Sequence, residues 1–125
     1  METQNLWPDF TVEPMKSPKA ILKEQAGFLM EKTNNVLSAE IETKRMVDGR
    51  IQHRFLIVAP ALDNYRYSIL TVQHRALYYP LNVSYDAYSY EVKNEGDFIE
   101  TLSNAFKNKD TLRVISSLLS QSMVE

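Results

Sequence analysis

A chain of 125 residues, 44% of them hydrophobic and 24% charged, is long enough to bury one core and short enough to be one domain. The formal net charge of −2 speaks against phosphate-driven nucleic-acid binding, and the absence of cysteine excludes disulfides, thiolate metal sites and a cysteine nucleophile. No apolar run approaches the ~20 residues of a membrane span and no charged-then-apolar leader follows Met1, so a cytoplasmic protein is expected.

Residues 1–16 read as an extended arm. Pro8 and Pro14 interrupt it, and Trp7 and Phe10 are bulky anchors that need a docking place, on the chain's own edge or on another subunit. Residues 17–125 form a single α+β domain. Ser17-Pro18 opens its first helix, with the hydroxyl as N-cap and proline at the first helical position. Ile21, Leu22, Phe28 and Leu29 make its apolar stripe. Gly27 weakens it by roughly 1 kcal/mol relative to alanine, which implies close packing against a strand there. Asn34-Asn35 ends it.

From Val36 the period changes to two. Leu37, Ala39, Ile41 and Thr43 alternate with Ser38, Glu40, Glu42 and Lys44, so this strand has one core face and one wet face. Asp48-Gly49 is a strong hairpin signal. The densest apolar runs, Phe55 to Ala59 and Ser68 to Val72, flank a second turn signal at Asp63-Asn64 and read as central antiparallel strands. Two-residue turns at both places put Ile41 opposite Leu56 and Val58 opposite Ile69. One face then collects Leu37, Ala39, Ile41, Leu56, Val58, Tyr67 and Ile69, with Leu56 turned toward the N-terminal helix. The other carries Phe55, Ile57, Leu70 and Val72 beside Glu40, Glu42 and Lys44. A half-apolar face needs cover, so a homodimer is expected.

Leu77, Tyr79, Leu81, Val83 and Tyr85 continue the alternation as a fourth strand, which Pro80 places at an edge or a bulge. Tyr88, Tyr90 and Val92 add a short fifth. Asp97 starts a capping-box-like helix with Phe98, Ile99, Leu102, Ala105 and Phe106 inward. Asp110 caps a last helix whose apolar face is Val114, Ile115, Leu118 and Leu119. The fold class is therefore α+β: an N-terminal helix, an antiparallel four- to five-stranded meander sheet and two C-terminal helices.

Chemistry is harder to find. Gly27, Gly49 and Gly96 are isolated and build no phosphate loop. His53 and His74 should face each other across the central strands, with Lys44 opposite His53 and Glu42 diagonal to it. Two histidines and a carboxylate suit a metal, but the lysine opposes a cation, so no metal and no cofactor is expected. Asp63 with Tyr65 or Arg66 could exchange protons, yet a turn entering a strand uses the same residues. An enzyme is therefore not the favoured reading. Charge is uneven: four arginines against Asp63 make Gly49 to Arg75 net +3, while Ala76 to Phe106 is net −4. Such charges mostly solvate sheet rims, though they could also select a partner.

All seven tyrosines lie between Tyr65 and Tyr90. Tyr65, Tyr67, Tyr79, Tyr85 and Tyr88, with Arg66, are the candidate binding residues. The function expected is that of a small cytoplasmic binding or regulatory protein acting through protein–protein contacts. The alternative is a small-molecule-binding domain with a tyrosine-lined pocket between the sheet and the C-terminal helices. Single-stranded nucleic acid over Tyr65, Tyr67, Arg54 and Arg66 is a third reading, disfavoured by the charge.

Overall fold

The computed structural model describes residues 3–12 and 15–124. Its elements run α1 (Pro18–Lys32), β1 (Ser38–Arg45), β2 (Ile51–Ala59), a single 3₁₀ turn (Pro60–Leu62), β3 (Tyr65–His74), β4 (Leu81–Tyr85), β5 (Tyr88–Val92), α2 (Glu95–Phe106) and α3 (Lys109–Val124). The sheet is an antiparallel meander in the order β1-β2-β3-β4-β5. This is the α+β arrangement that the periodicities imply. Among the described residues no helix is long and apolar enough to cross a membrane.

The helix ends are capped as their chemistry requires. Ser17 Oγ accepts from Ala20 N at 3.1 Å, and Pro18 takes the first helical position. At the far end Asn34 and Asn35 both adopt positive φ, 52° and 64°. Thr33 closes the turn from inside, its hydroxyl donating to Leu29 O at 3.0 Å and accepting from Leu37 N at 3.2 Å. The N-cap of helix α2 lies three residues earlier than expected, because Asn94 Oδ1 accepts from Asp97 N at 2.8 Å and takes that position. Ahead of α3, Asn108 Oδ1 accepts from Asp110 N at 2.9 Å, so Asp110 lies in the first turn and does not cap it. A carboxylate there still favours the positive end of the helix dipole.

The face assignment needs correction, and the cause is one residue in a loop. Met46 N donates to Arg50 O at 2.7 Å and Gly49 N to Met46 O at 3.1 Å, which leaves three residues, Val47 to Gly49, in the hairpin. Gly49 sits at φ +90°, the positive value such a loop demands at its last position. An odd loop shifts the pairing by one, and a shift of one turns every side chain of the partner strand over. Ile41 thus faces Phe55, and Ala39 faces Ile57. Leu56 and Val58 lie on the opposite face, not toward α1.

On that other face Leu56 and Val58 are nevertheless buried. Arg66 on β3 pairs with Glu40 and Glu42 on β1, the latter at 3.2 Å, so its guanidinium crosses β2 above them. The arginine stem supplies apolar cover while its head stays wet. Arg54 joins the same group through Glu42 at 3.3 Å. The basic segment therefore finds its partners on β1 and in the hairpin loop, where Arg50 pairs with Asp48 at 2.7 Å.

The second turn is also longer than two residues. Pro60–Leu62 makes a 3₁₀ turn, Asp63 and Asn64 follow at positive φ, and Ala59 pairs with Tyr65. Ile69 is left over as a bulge: Phe55 pairs with Leu70, but Leu56 with Ser68. The net result is a single apolar face. Ala39, Ile41, Phe55, Ile57, Leu70, Val72, Leu81, Val83 and Val92 meet Ile21, Leu22 and Ala26 of α1, Phe98, Leu102 and Ala105 of α2, and Leu118 of α3. All three helices share this one side. The half-apolar outer face from which a homodimer was expected is thereby absent.

Three smaller expectations also shift. Strand β4 begins just after Pro80, so the proline stands outside the ladder instead of kinking it. Phe28 and Ile99 point to solvent, and Ala26 takes the buried place on α1. Gly27 is exposed, with nothing within 4 Å of where a Cβ would be, so close packing does not explain it. Gly27→Ala should therefore stabilise the protein, by about 0.5–1 kcal/mol, because it removes backbone freedom from the unfolded chain without a clash. Urea denaturation measures this, and a lowered midpoint would restore a packing role for the glycine.

Candidate functional site

The sequence-predicted binding residues separate into four places. Tyr65 and Tyr67 lie two apart at the start of β3, so both rings project from the helix-bearing face. Arg66 between them must point the other way, and there it is engaged with Glu40 and Glu42. Tyr79 lies near the opposite end of the sheet, edge-on to Phe98 at 6.5 Å. It also borders a cavity of about 420 Å³ with Arg50, His74 and Arg75. Its hydroxyl is buried with no hydrogen-bond partner among the described residues, and burial pushes its pKa up. Tyr85 and Tyr88 sit on the β4–β5 hairpin with Tyr90. The set of Tyr65, Tyr67, Arg54 and Arg66 weighed for single-stranded nucleic acid is split across the two faces of the sheet.

Tyr65 and Tyr67 are the ones that meet a cavity. A groove of about 720 Å³ runs between the 3₁₀ turn with the start of β3 and helix α3. Its apolar floor is Leu62, Val114 and Leu118, the two tyrosines line it from β3, and Asp110, Arg113, Ser117 and Gln121 line it from α3. Helical spacing explains the last set. Positions 110, 113, 117 and 121 recur at three or four residues and so share one side of α3, beside the apolar stripe.

This polar stripe is the part that residue-type reasoning missed. Its signal, a serine-rich helix with Asp, Arg and Gln at fixed helical spacing, was readable as a face but not as a wall. Among the described residues neither Arg113 nor Asp110 forms an ion pair within 4 Å, although they stand one turn apart. Gln121 Nε2 donates to Ser117 Oγ at 3.0 Å. The amide oxygen of Gln121 and the guanidinium of Arg113 thus remain available to a ligand. The groove can stack a flat ring on tyrosine and hold its polar substituent by Arg113.

The two histidines make a different kind of site. Observed pairing sets His53 opposite Val72 and His74 opposite Ile51, so the rings meet diagonally, Nε2 to Nε2 at 2.9 Å. Thr43 faces His53, where Lys44 was expected, again through the one-residue loop shift. Proton positions follow from one fixed acceptor. The Arg75 carbonyl can only accept, so His74 Nδ1 donates to it at 2.7 Å. With His74 uncharged, its Nε2 accepts from His53 Nε2–H at 2.9 Å, and a neutral His53 then accepts at Nδ1 from the Thr43 hydroxyl at 2.9 Å. Every ring nitrogen of the pair is used. Burial first, then the charges of His74 and Lys19, lower the His53 pKa to about 4. Glu42 is on the far face with the arginines. Among the described residues no three of His, Asp and Glu gather where they could hold a metal ion. Comparison with protein-family models, with curated proteins and with solved structures found no match.

Proposed function

We propose that the chain is a non-enzymatic binding protein of the cytoplasm whose groove between β3 and α3 takes a small, flat molecule bearing an anionic group. The observation that carries this reading is the convergence of Tyr65 and Tyr67 with an Arg113 that has no ion-pair partner among the described residues. A groove of this size lies within the range of small-molecule sites, ~300–1,000 Å³. Stacking supplies area at low entropic cost, and a guanidinium fork recognises a carboxylate in two places at once. Asp110, one turn away, selects against a second anionic group nearby.

The test uses 1-naphthoate as probe, followed by amide chemical-shift changes. Saturable shifts confined to residues 62–67 and 110–121 are expected. Arg113→Ala should weaken binding at least about tenfold, as loss of a charge-assisted hydrogen bond implies. Shifts that spread over the surface without saturating, or an affinity indifferent to Arg113, would remove the groove from consideration.

A second reading, action through protein–protein contacts, is favoured by the arm. Trp7 and Phe10 touch each other at 6.0 Å, yet are 75% and 74% exposed, and Leu6 and Val12 are exposed with them. Aromatic side chains left open in this way are suited to a partner's surface.

A further inference from the structure

We propose that β5 is the seat of a twofold homodimer, in which β5 strands from two copies pair antiparallel about Tyr90 and join the two sheets into one. The inference is independent of the groove, and it restores a dimer on ground other than an uncovered face.

A five-stranded open sheet has two edges, here β1 and β5. They are treated differently. Strand β1, Ser38–Arg45, carries Glu40, Glu42, Lys44 and Arg45 among its eight residues. Charge of that density blunts an edge against further pairing. Strand β5 is Tyr-Ser-Tyr-Glu-Val, with one charge, no proline and no lysine. It pairs with β4 in unbroken register from Tyr85↔Tyr88 to Leu81↔Val92, so no bulge twists its free edge away. Among the described residues no other backbone group bonds to its free edge, which is open to another strand.

The side chains of β5 suit a second copy of the same strand. Tyr90 stacks on Tyr85 with centroids 5.2 Å apart and meets Tyr88 at 6.5 Å. Tyr88 is 65% exposed and Tyr90 39%, so these rings cover one another only in part and remain open to a further strand. Tyr88, Tyr90 and Val92 lie on the helix-bearing face, while Ser89 and Glu91 lie on the open one.

Twofold symmetry then limits the register. A centre at Glu91 would set two carboxylates about 5 Å apart, which is unfavourable. A centre at Ser89 would leave Val92 beyond the pairing. The centre at Tyr90, the middle residue, pairs all five. It places Tyr90 against Tyr90 of the second copy, Tyr88 against Val92, and Ser89 against Glu91. The apolar row meets an apolar row, and each carboxylate meets a hydroxyl that can donate to it.

The register makes a signed prediction at an exposed residue. Sedimentation velocity of the full chain from roughly 1 μM to 1 mM, the span of weak specific association, should show a concentration-dependent rise above the 14.5 kDa monomer. Ser89→Glu places a second carboxylate opposite Glu91 twice over and should weaken the dimer about fivefold. Ser89→Lys places an ammonium there and should tighten it by a similar factor. A monomer at every concentration overturns the proposal. So does a dimer that responds to the two substitutions in the same sense, because the strands would then meet in another register or elsewhere. Naphthoate binding at the groove is read separately, so the two ideas can fail independently.

Discussion

Phe55→Ala should lower the unfolding free energy by about 3–5 kcal/mol, enough to remove much of the stability of an average domain. Phe55 is 2% exposed, and its ring meets Phe106 at 5.4 Å under the helical layer. It pairs with Ile41 on one side and Leu70 on the other, at the centre of the sheet's apolar face. Truncation removes the transfer energy of a benzyl group and leaves a void, because β2 is clamped by neighbouring strands and cannot collapse inward. Urea unfolding at neutral pH measures the loss. A change below about 1 kcal/mol would mean that Phe55 faces the open side, as the two-residue hairpin would have placed it.

That alternative shows where local sequence stops informing. The elements themselves were legible: Ser17-Pro18, Asn34-Asn35 and the alternation from Leu37 to Thr43 all express preferences that act within a few residues. The faces were not. Asp48-Gly49 serves a two-residue hairpin or a three-residue one, since both need positive φ at the glycine. Whether Val47 joins the loop is decided by what the strands bury once paired. Burying Phe55, Ile57, Leu70 and Val72 with Ala39 and Ile41 gathers the apolar surface on one side, and a single layer of helices can then cover it. The three-residue loop permits this; the two-residue loop would scatter the same residues over both sides. Global burial therefore selected the local turn.

The candidate site was partly legible for the same reason. Tyr65 and Tyr67 drew attention by residue type, and their shared face follows from strand periodicity alone. Arg113 and Gln121 did not stand out, because nothing in residues 109–124 says which strand α3 crosses. Tyr79 and Tyr85 belong to other neighbourhoods, so the density of tyrosine in sequence reflected strand propensity and edges more than one shared pocket.

Acid should destabilise the protein through the histidine pair. His53 is 4% exposed, and its folded pKa of about 4 lies below the ordinary value of 6.5. Between those values the unfolded chain binds the proton and the folded chain does not, so stability falls as pH drops from about 6.5 to about 4 and this contribution is flat below. The difference of about 2.5 pH units sets an upper bound of about 3 kcal/mol on the loss, reduced by whatever solvent reaches the ring. The geometry supplies the reason. A proton added to His53 Nδ1 would take the lone pair that the Thr43 hydroxyl uses and oblige that hydroxyl to turn round and accept, and the charge would sit in a ring buried away from water. Carboxylates elsewhere titrate over the same range, so the useful quantity is the difference between the wild type and His53→Gln. That difference should be largest near pH 7 and shrink by most of its value by pH 4.5. A wild-type His53 imidazole titrating near pH 6.5 by NMR would show the ring to be hydrated and the bond to His74 dispensable.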